Sequence, residues 1–299
     1  MTAGGSYGLR PALSRRLAGG FGRLVLAVLV GGFAASALVR YAPGFNIDEN
    51  TWNPRLSSAT VEAMHARRQQ ENRLPYFYIR YLSAAARGDL GHSETFNTPV
   101  SELLRQRAPT SLKIIFWGML AGLSIGAFLA WAAVWPRSTA AEITSSAFSG
   151  FLIAIPPAVL GLAFFFLEAP LSLAVGLALA PRVFGTLRTV FTELADSPAL
   201  LAARARGVAG HALALRYAIV PALPQFAATV GVAFVIAFGS LIPIEALCDV
   251  PGIGQLAWKA ALARDLPLLC GLALILTTIV ASAQWISELV TPASEGSNS

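Results

Sequence analysis

Apolar residues fall in long blocks separated by short polar punctuation. Residues 24–39 (LVLAVLVGGFAASALV) sit between Arg23 and Arg40, 114–136 follow Lys113, and 143–167 run from Glu142 to Glu168. Residues 217–244 lie between Arg216 and Glu245, and 266–287 between Asp265 and Glu288. A sixth block, 169–187, is interrupted by Arg182, an arginine expected to snorkel toward an interface from near the helix end. A spanning helix takes roughly 20 apolar residues. The pattern therefore predicts an all-α integral membrane protein with about six transmembrane helices. No repeat of fixed period is visible.

The first block has two readings. Arg15, Arg16 and Arg23 precede an apolar core that ends in Ala35-Ser36-Ala37, which also fits a signal peptide with its cleavage site. Further spans follow under either reading, so the chain stays in the membrane. Arg10, Arg15, Arg16 and Arg23 put residues 1–23 in the cytoplasm by the excess of cationic residues on that side. With the first span at 24–40, residues 41–112 form a long external segment, which its length allows despite its own arginines. The core then runs over 113–290, with 188–216 as a cytoplasmic loop, 245–265 as an external one and 291–299 as a cytoplasmic tail. The external stretch SSATVEAMHARRQQENRLPYFYIRYLSAAARGDLG offers Ser58 or Thr60 as a helix N-cap with Glu62 close behind. Gly88 and Gly91 are its stops. Two short helices are expected there, with Tyr76, Phe77, Tyr78 and Tyr81 at the membrane interface.

Composition narrows the function. Charged residues make up 13% of 299 residues, hydrophobic ones 55%, and the mean hydropathy is +0.61. A soluble domain carries about 25% charged residues. The net charge of +6 is almost all arginine, scattered between apolar blocks with no basic stripe, so it reads as a topology signal and not as a nucleic-acid surface. No G-x-x-x-x-G-K-[ST] occurs, so the chain has no phosphate-binding loop of its own. His65, His92 and His211 lack metal-ligand spacing. Cys248 and Cys270 fit neither a disulfide framework nor a CxxC site, and neither is assigned a role. The apolar blocks hold almost no carboxylates or lysines, which disfavours an ion-coupled transporter or proton pump. Ser124 and Ser149 have no histidine placed for intramembrane proteolysis and suit helix–helix contacts.

One stretch breaks the pattern, LAARARGVAGHALALRYAIVPALP at 201–224. Helix formers run from Leu200 through Arg206, Gly207 is suited to end that helix in a left-handed conformation, and Gly210 loosens the turn. A second short helix is expected from His211 to Ile219 before Pro221 and Pro224 open the next span. Small side chains there would let another protein's surface approach closely. A plain connector whose arginines enforce topology is the alternative.

These residues resemble the "EAA" cytoplasmic loop of bacterial ABC-importer permeases, on Ala202-Ala203, Gly207 and the run to Leu223-Pro224. The resemblance is closest to the dipeptide/oligopeptide branch, which shares its motifs with nickel importers. It extends to Ala42-Pro43-Gly44 after the first span, YIRYLSAAARGDLGHS (78–93) and PVSELLRQRAPTSLKI (99–114). IAIPPAVLGL (153–162) and DVPGIGQLAWKAALARDLPLL (249–269) continue it in the family's order. There are three departures, one of them a link between the third and fourth spans shorter than the family pattern leads one to expect. Leu201 occupies the position of the motif's Glu, and Ala209 that of a capping Ser.

The resemblance implies the type I importer permease arrangement and half of a membrane pore for di- or oligopeptides, with a nickel or other metal complex as the alternative cargo. A non-transporting scaffold or sensor subunit is the alternative of another class. It implies a second homologous permease subunit, ABC ATPase subunits that carry ATP and Mg, and an external solute-binding protein as partners in the bacterial inner membrane. No catalytic, cofactor or metal residue is expected on this chain. The implied ATPase-coupling loop is Leu201, Ala202, Ala203, Arg204, Ala205, Arg206, Gly207, Val208, Ala209 and Gly210. The implied face for the solute-binding protein is Arg87, Asp89, Pro251, Gly252, Gly254, Arg264 and Asp265.

Overall fold

A computed structural model describes residues 19–20, 22–34, 37, 74–136, 138–208 and 220–290. The described helices are α1 (Gly22–Ala34), α2 (Leu74–Ala85), α3 (Val100–Val134), α4 (Thr139–Ala154) and α5 (Pro157–Phe166). They continue with α6 (Leu171–Ala195), α7 (Pro198–Ala205), α8 (Val220–Leu247), α9 (Ile253–Ala263) and α10 (Leu266–Val290). A small antiparallel hairpin, β1 (His92–Ser93) and β2 (Thr98–Pro99), lies between α2 and α3. The chain is an all-α integral membrane protein, its described residues helical apart from that hairpin and the connecting turns. Among the described residues α3, α6, α8 and α10 are long and apolar enough to cross a membrane, and α4 with α5 is apolar enough only as a bent pair, a broken span or a re-entrant loop.

Several spans differ from the sequence expectation. The first is described over Gly22–Ala34 only. The third is not one helix: α4 and α5 meet at 92°. Ile155 precedes a proline and takes the extended conformation, φ −90° and ψ 118°, that the following ring favours. Pro157 then starts α5 where its fixed φ suits a first helical turn. The fourth span is a full 25-residue helix running to Ala195, so 188–195 is helical and the connecting loop starts later than expected. The second begins at Val100, inside the stretch assigned to the external segment. The Ser58/Thr60 helix start and the helix expected over His211 to Ile219 lie outside the described residues.

The contacts divide the chain into two compact units, one of Met1–Gly22, Pro109–Gln255 and Val280–Ser299, the other of Arg23–Ala108 and Leu256–Ile279. In the first unit α6 packs against α4, α5 and α8. It also lies tight against α3, where Gly118, Gly122 and Gly126 repeat every fourth residue along one face. A Cβ on Gly122 would stand 2.7 Å from the Gly176 carbonyl oxygen and 2.5 Å from Leu179 Cγ. Without hydrocarbon–water contrast between helices, such backbone approach is what holds them together in a bilayer.

In the second unit the Tyr81 side chain packs with Cys270 and Leu274, joined by Val28, Leu82, Ala85 and Leu266. The Tyr78 hydroxyl donates to the Leu29 carbonyl at 2.8 Å, and the Tyr81 hydroxyl to those of Leu90 (3.0 Å) and Pro267 (3.3 Å). Burial, then the Cys270 thiol, pushes both phenols above their ordinary pKa. Both rings are buried within the protein.

Candidate functional site

The segment expected to couple to another chain is built around α7. Pro198 opens the helix, and Ser197 serves both of its sides: its hydroxyl donates to the Leu194 carbonyl (2.8 Å) and accepts from the Leu200 N–H (3.3 Å). Leu200 and Ala203 are fully buried, with Val208 packed on them. The helix ends as the sequence predicts. Gly207 has φ +81°, and the Val208 N–H donates back to the Ala203 carbonyl at 3.1 Å. This is the Schellman pattern, complete with its apolar contact. Nothing lies within 4 Å of a Cβ built on Gly207, so the backbone conformation, not space, demands glycine.

The anchored face leaves the other side free. Leu201, Ala202, Ala205, Arg206 and Gly207 are exposed, and Val208 is half-buried. Arg204 lies within α7, while Ala209 and Gly210 lie outside the described residues. Leu201, the departure from the family's Glu, thus sits on the face open to a partner. Beside the end of α6, Arg188 pairs with Glu142, both substantially exposed, so the pair contributes little. They line a cleft of about 260 Å³ with Thr192 and Asp196, below the size usual for a ligand pocket.

The residues expected on the external face separate into two sets. Arg87, Asp89, Pro251 and Arg264 are exposed. Gly252, Gly254 and Asp265 are buried and serve the chain's own packing. Asp265 is the N-cap of α10, accepting from the Leu268 N–H at 3.1 Å. Its other oxygen accepts from the Ser93 hydroxyl and from the Thr95 N–H (3.0 Å), which fixes the hairpin.

Gly252 and Gly254 flank a knot that the sequence reading missed. Glu245, which closes the apolar run 217–244, is fully buried. Its carboxyl group accepts from the Ser111 hydroxyl of α3 (2.7 Å) and from the Gly254 N–H (2.7 Å). Ser111 in turn accepts from the Ile253 N–H at 2.8 Å. The first N–H groups of α9, which no helix bonds internally, are satisfied this way. A Cβ on Gly252 would lie 2.2 Å from the Glu245 carboxyl, which explains the glycine. The available signal was a carboxylate closing a long apolar block just before Pro-Gly-x-Gly.

Helices α8 and α9 both end by the route used at Gly207 but without glycine, on an aspartate that tolerates it and an arginine that does so at a cost. Asp249 has φ +48° and Arg264 φ +57°, with the Val250 and Asp265 N–H groups returning to the carbonyls five residues back. Arg264→Gly is expected to relieve that conformation and raise stability by about 1 kcal/mol. Thermal unfolding of the purified complex checks it, and an unchanged or lowered midpoint would show that the arginine side chain contributes more than its backbone costs.

The chain is 26% identical to a peptide permease protein of Brucella ovis, over 94% of this chain and 96% of that one. It is 28% identical to the oligopeptide transport system permease protein OppB of Escherichia coli, over 80% and 84% respectively. A peptide transport system permease protein of Brucella suis is 24% identical over 63% of this chain and 68% of its own. Residues 113–295, which hold the packed glycines of α3 and α6, Glu245 with Gly252 and Gly254, and α7, match the family described as the binding-protein-dependent transport system inner membrane component, and the chain belongs to that family.

Proposed function

We propose that this chain is a permease subunit of an ATP-driven importer and forms half of a pore for di- or oligopeptides delivered by a solute-binding protein. The observation that carries this reading is α7, a short helix anchored by Leu200 and Ala203, ended at Gly207 and open on its other face. Relatives named as peptide and oligopeptide permeases support the cargo class. The chain is a transport component, and ATP with its Mg is bound on partner ATPase subunits that dock on the exposed face of α7. A second, related permease completes the pore. Both termini are cytoplasmic, as the arginines of 1–23 favour. The solute-binding protein meets the exposed external residues Arg87, Asp89, Pro251 and Arg264.

In this scheme closure of the ATPases pushes α7 as a rigid piece, and the push selects between two arrangements of the packed bundle. Rigidity depends on Gly207. A β-branched residue at φ +81° costs on the order of 1–3 kcal/mol and displaces the helix end. Gly207→Val in a reconstituted complex is expected to lower peptide uptake roughly tenfold or more while ATP hydrolysis and membrane insertion persist. Gly207→Asn, which tolerates the left-handed region, retains most uptake. Equal uptake by the valine variant and the parent would remove α7 from the coupling path. Co-purification separates this reading from a scaffold: an importer permease brings an ATPase and a second permease with it.

A further inference from the structure

Helix α6 is the most enclosed of the described spans, with 56% of its most apolar stretch buried, against 28–44% for the others. Leu179, Val183, Leu187 and Val190 form its buried side. What it leaves open is unlike the open side of α3. Helix α3 exposes Phe116, Trp117, Leu120, Phe128 and Trp131, as a lipid-facing surface should. The only large apolar side chain that α6 exposes is Leu173, near its start.

The remaining exposed positions include Arg182, Thr186, Thr189 and Glu193, which recur at helical spacing along one strip, with Gly185 beside them. Leu173, nine residues before Arg182, lies half a turn round the helix. Thr186 and Thr189 return their hydroxyl protons to the carbonyls of Arg182 and Gly185, so their oxygens still present lone pairs outward. The Arg182 guanidinium forms no hydrogen bond or ion pair among the described residues.

Arg182 is not near a helix end. It stands 11 residues after Leu171 and 13 before Ala195, about 16 and 20 Å along the axis. Side chains on a helix lean toward its N-terminus, so this arginine leans into the apolar half, LSLAVGLALAP, and away from the polar C-terminal turns. An ionised side chain in mid-span belongs at a water-filled path or opposite a counter-charge.

We infer that the Arg182–Thr186–Thr189 strip of α6 lines the water-filled translocation path and that Arg182 receives an anionic group of the passing cargo, for a peptide its C-terminal carboxylate. This rests on the pore-forming reading above. The threonine oxygens continue the strip as neutral acceptors toward the inner end, so the carboxylate meets one cationic station and is not held along the whole length. A weak single station suits conduction, which requires that binding be easy to leave.

Single cysteines test the strip in membrane vesicles carrying the whole complex, since Cys248 and Cys270 are buried. Thr186→Cys and Thr189→Cys are expected to react with both sulfonatoethyl and trimethylammonium-ethyl methanethiosulfonate. Trp117→Cys and Phe128→Cys on the apolar side of α3 are expected to react with neither. The anionic reagent is expected to react about tenfold faster with Thr186→Cys when Arg182 is present than in the Arg182→Gln background, with Arg182→Lys keeping most of the difference. Protection of both threonine positions, or reaction indifferent to Arg182, overturns the inference. So does loss of the paired permease on purification of Arg182→Gln, which would make the arginine a subunit contact. A complex that labels as expected but imports no peptide leaves the water path standing and removes the peptide reading. Peptide import without labelling does the reverse.

Discussion

Replacing Glu245 with leucine is expected to unseat the start of α9 and to lower the stability of the folded chain by about 3 kcal/mol or more. The side chain is fully buried, and its carboxyl group is the acceptor for the Ser111 hydroxyl and the Gly254 N–H. Leucine fills a similar volume but accepts nothing, so two buried donors lose their partner at about 1–3 kcal/mol each. No bilayer hydrocarbon can replace it. The Ile253 N–H keeps its bond only while Ser111 stays in place. Thermal unfolding of the purified complex should fall by roughly 10 °C, with new protease cleavage between α8 and α9. Ser111→Ala removes one link and should cost less. A Glu245→Leu complex as stable as the parent would show that the knot holds nothing.

The second large effect is expected at Gly122. Its added Cβ would meet the Gly176 carbonyl oxygen at 2.7 Å, and a backbone oxygen cannot rotate away. Gly122→Ala is expected to cost about 1–3 kcal/mol by overpacking, and Gly122→Leu enough to part α3 from α6. Gly150 provides the control. It lies in α4 with nothing within 4 Å of an added Cβ, so Gly150→Ala should be neutral or slightly stabilising, because alanine favours a helix over glycine. The ratio of folded to aggregated complex after detergent extraction should separate the two. Similar behaviour of Gly122→Leu and Gly150→Ala would mean that the close approach of α3 and α6 is not what stabilises the first unit.

Much of the fold was legible because hydrophobicity is a local property summed over a span. The blocks ending at Glu245 and beginning after Asp265 predict α8 and α10 within a few residues. Gly207, Gly88 and Gly91 were readable as stops, and all three have positive φ. The 92° break at Pro156 was not read as such, because a proline pair in an apolar run is compatible with a kink, a break or a re-entrant turn. Only neighbouring helices decide among those. Arg182 misled for a related reason. Reading the block as ending at 187 put it near a helix end, whereas the helix runs on through polar residues to Ala195.

The candidate site divides in the same way. The exposed face of α7 follows from local chemistry, a proline start and a glycine stop around small residues. Gly252, Gly254 and Asp265 looked like surface loop residues because Pro-Gly-x-Gly and a lone aspartate usually are. Their burial depends on Glu245, Ser111 and Ser93, which lie between 7 and 172 residues away in the chain.

The sequence by itself determined the membrane class, nearly all of the helices and the turn that ends α7, since each depends on side chains close together along the chain. The tertiary structure alone decided which carboxylates turn inward, which glycines exist for a neighbour's sake and which side of α6 stays open. Those are set by contacts between distant segments, where a single residue's chemistry has no meaning until its partner is in place.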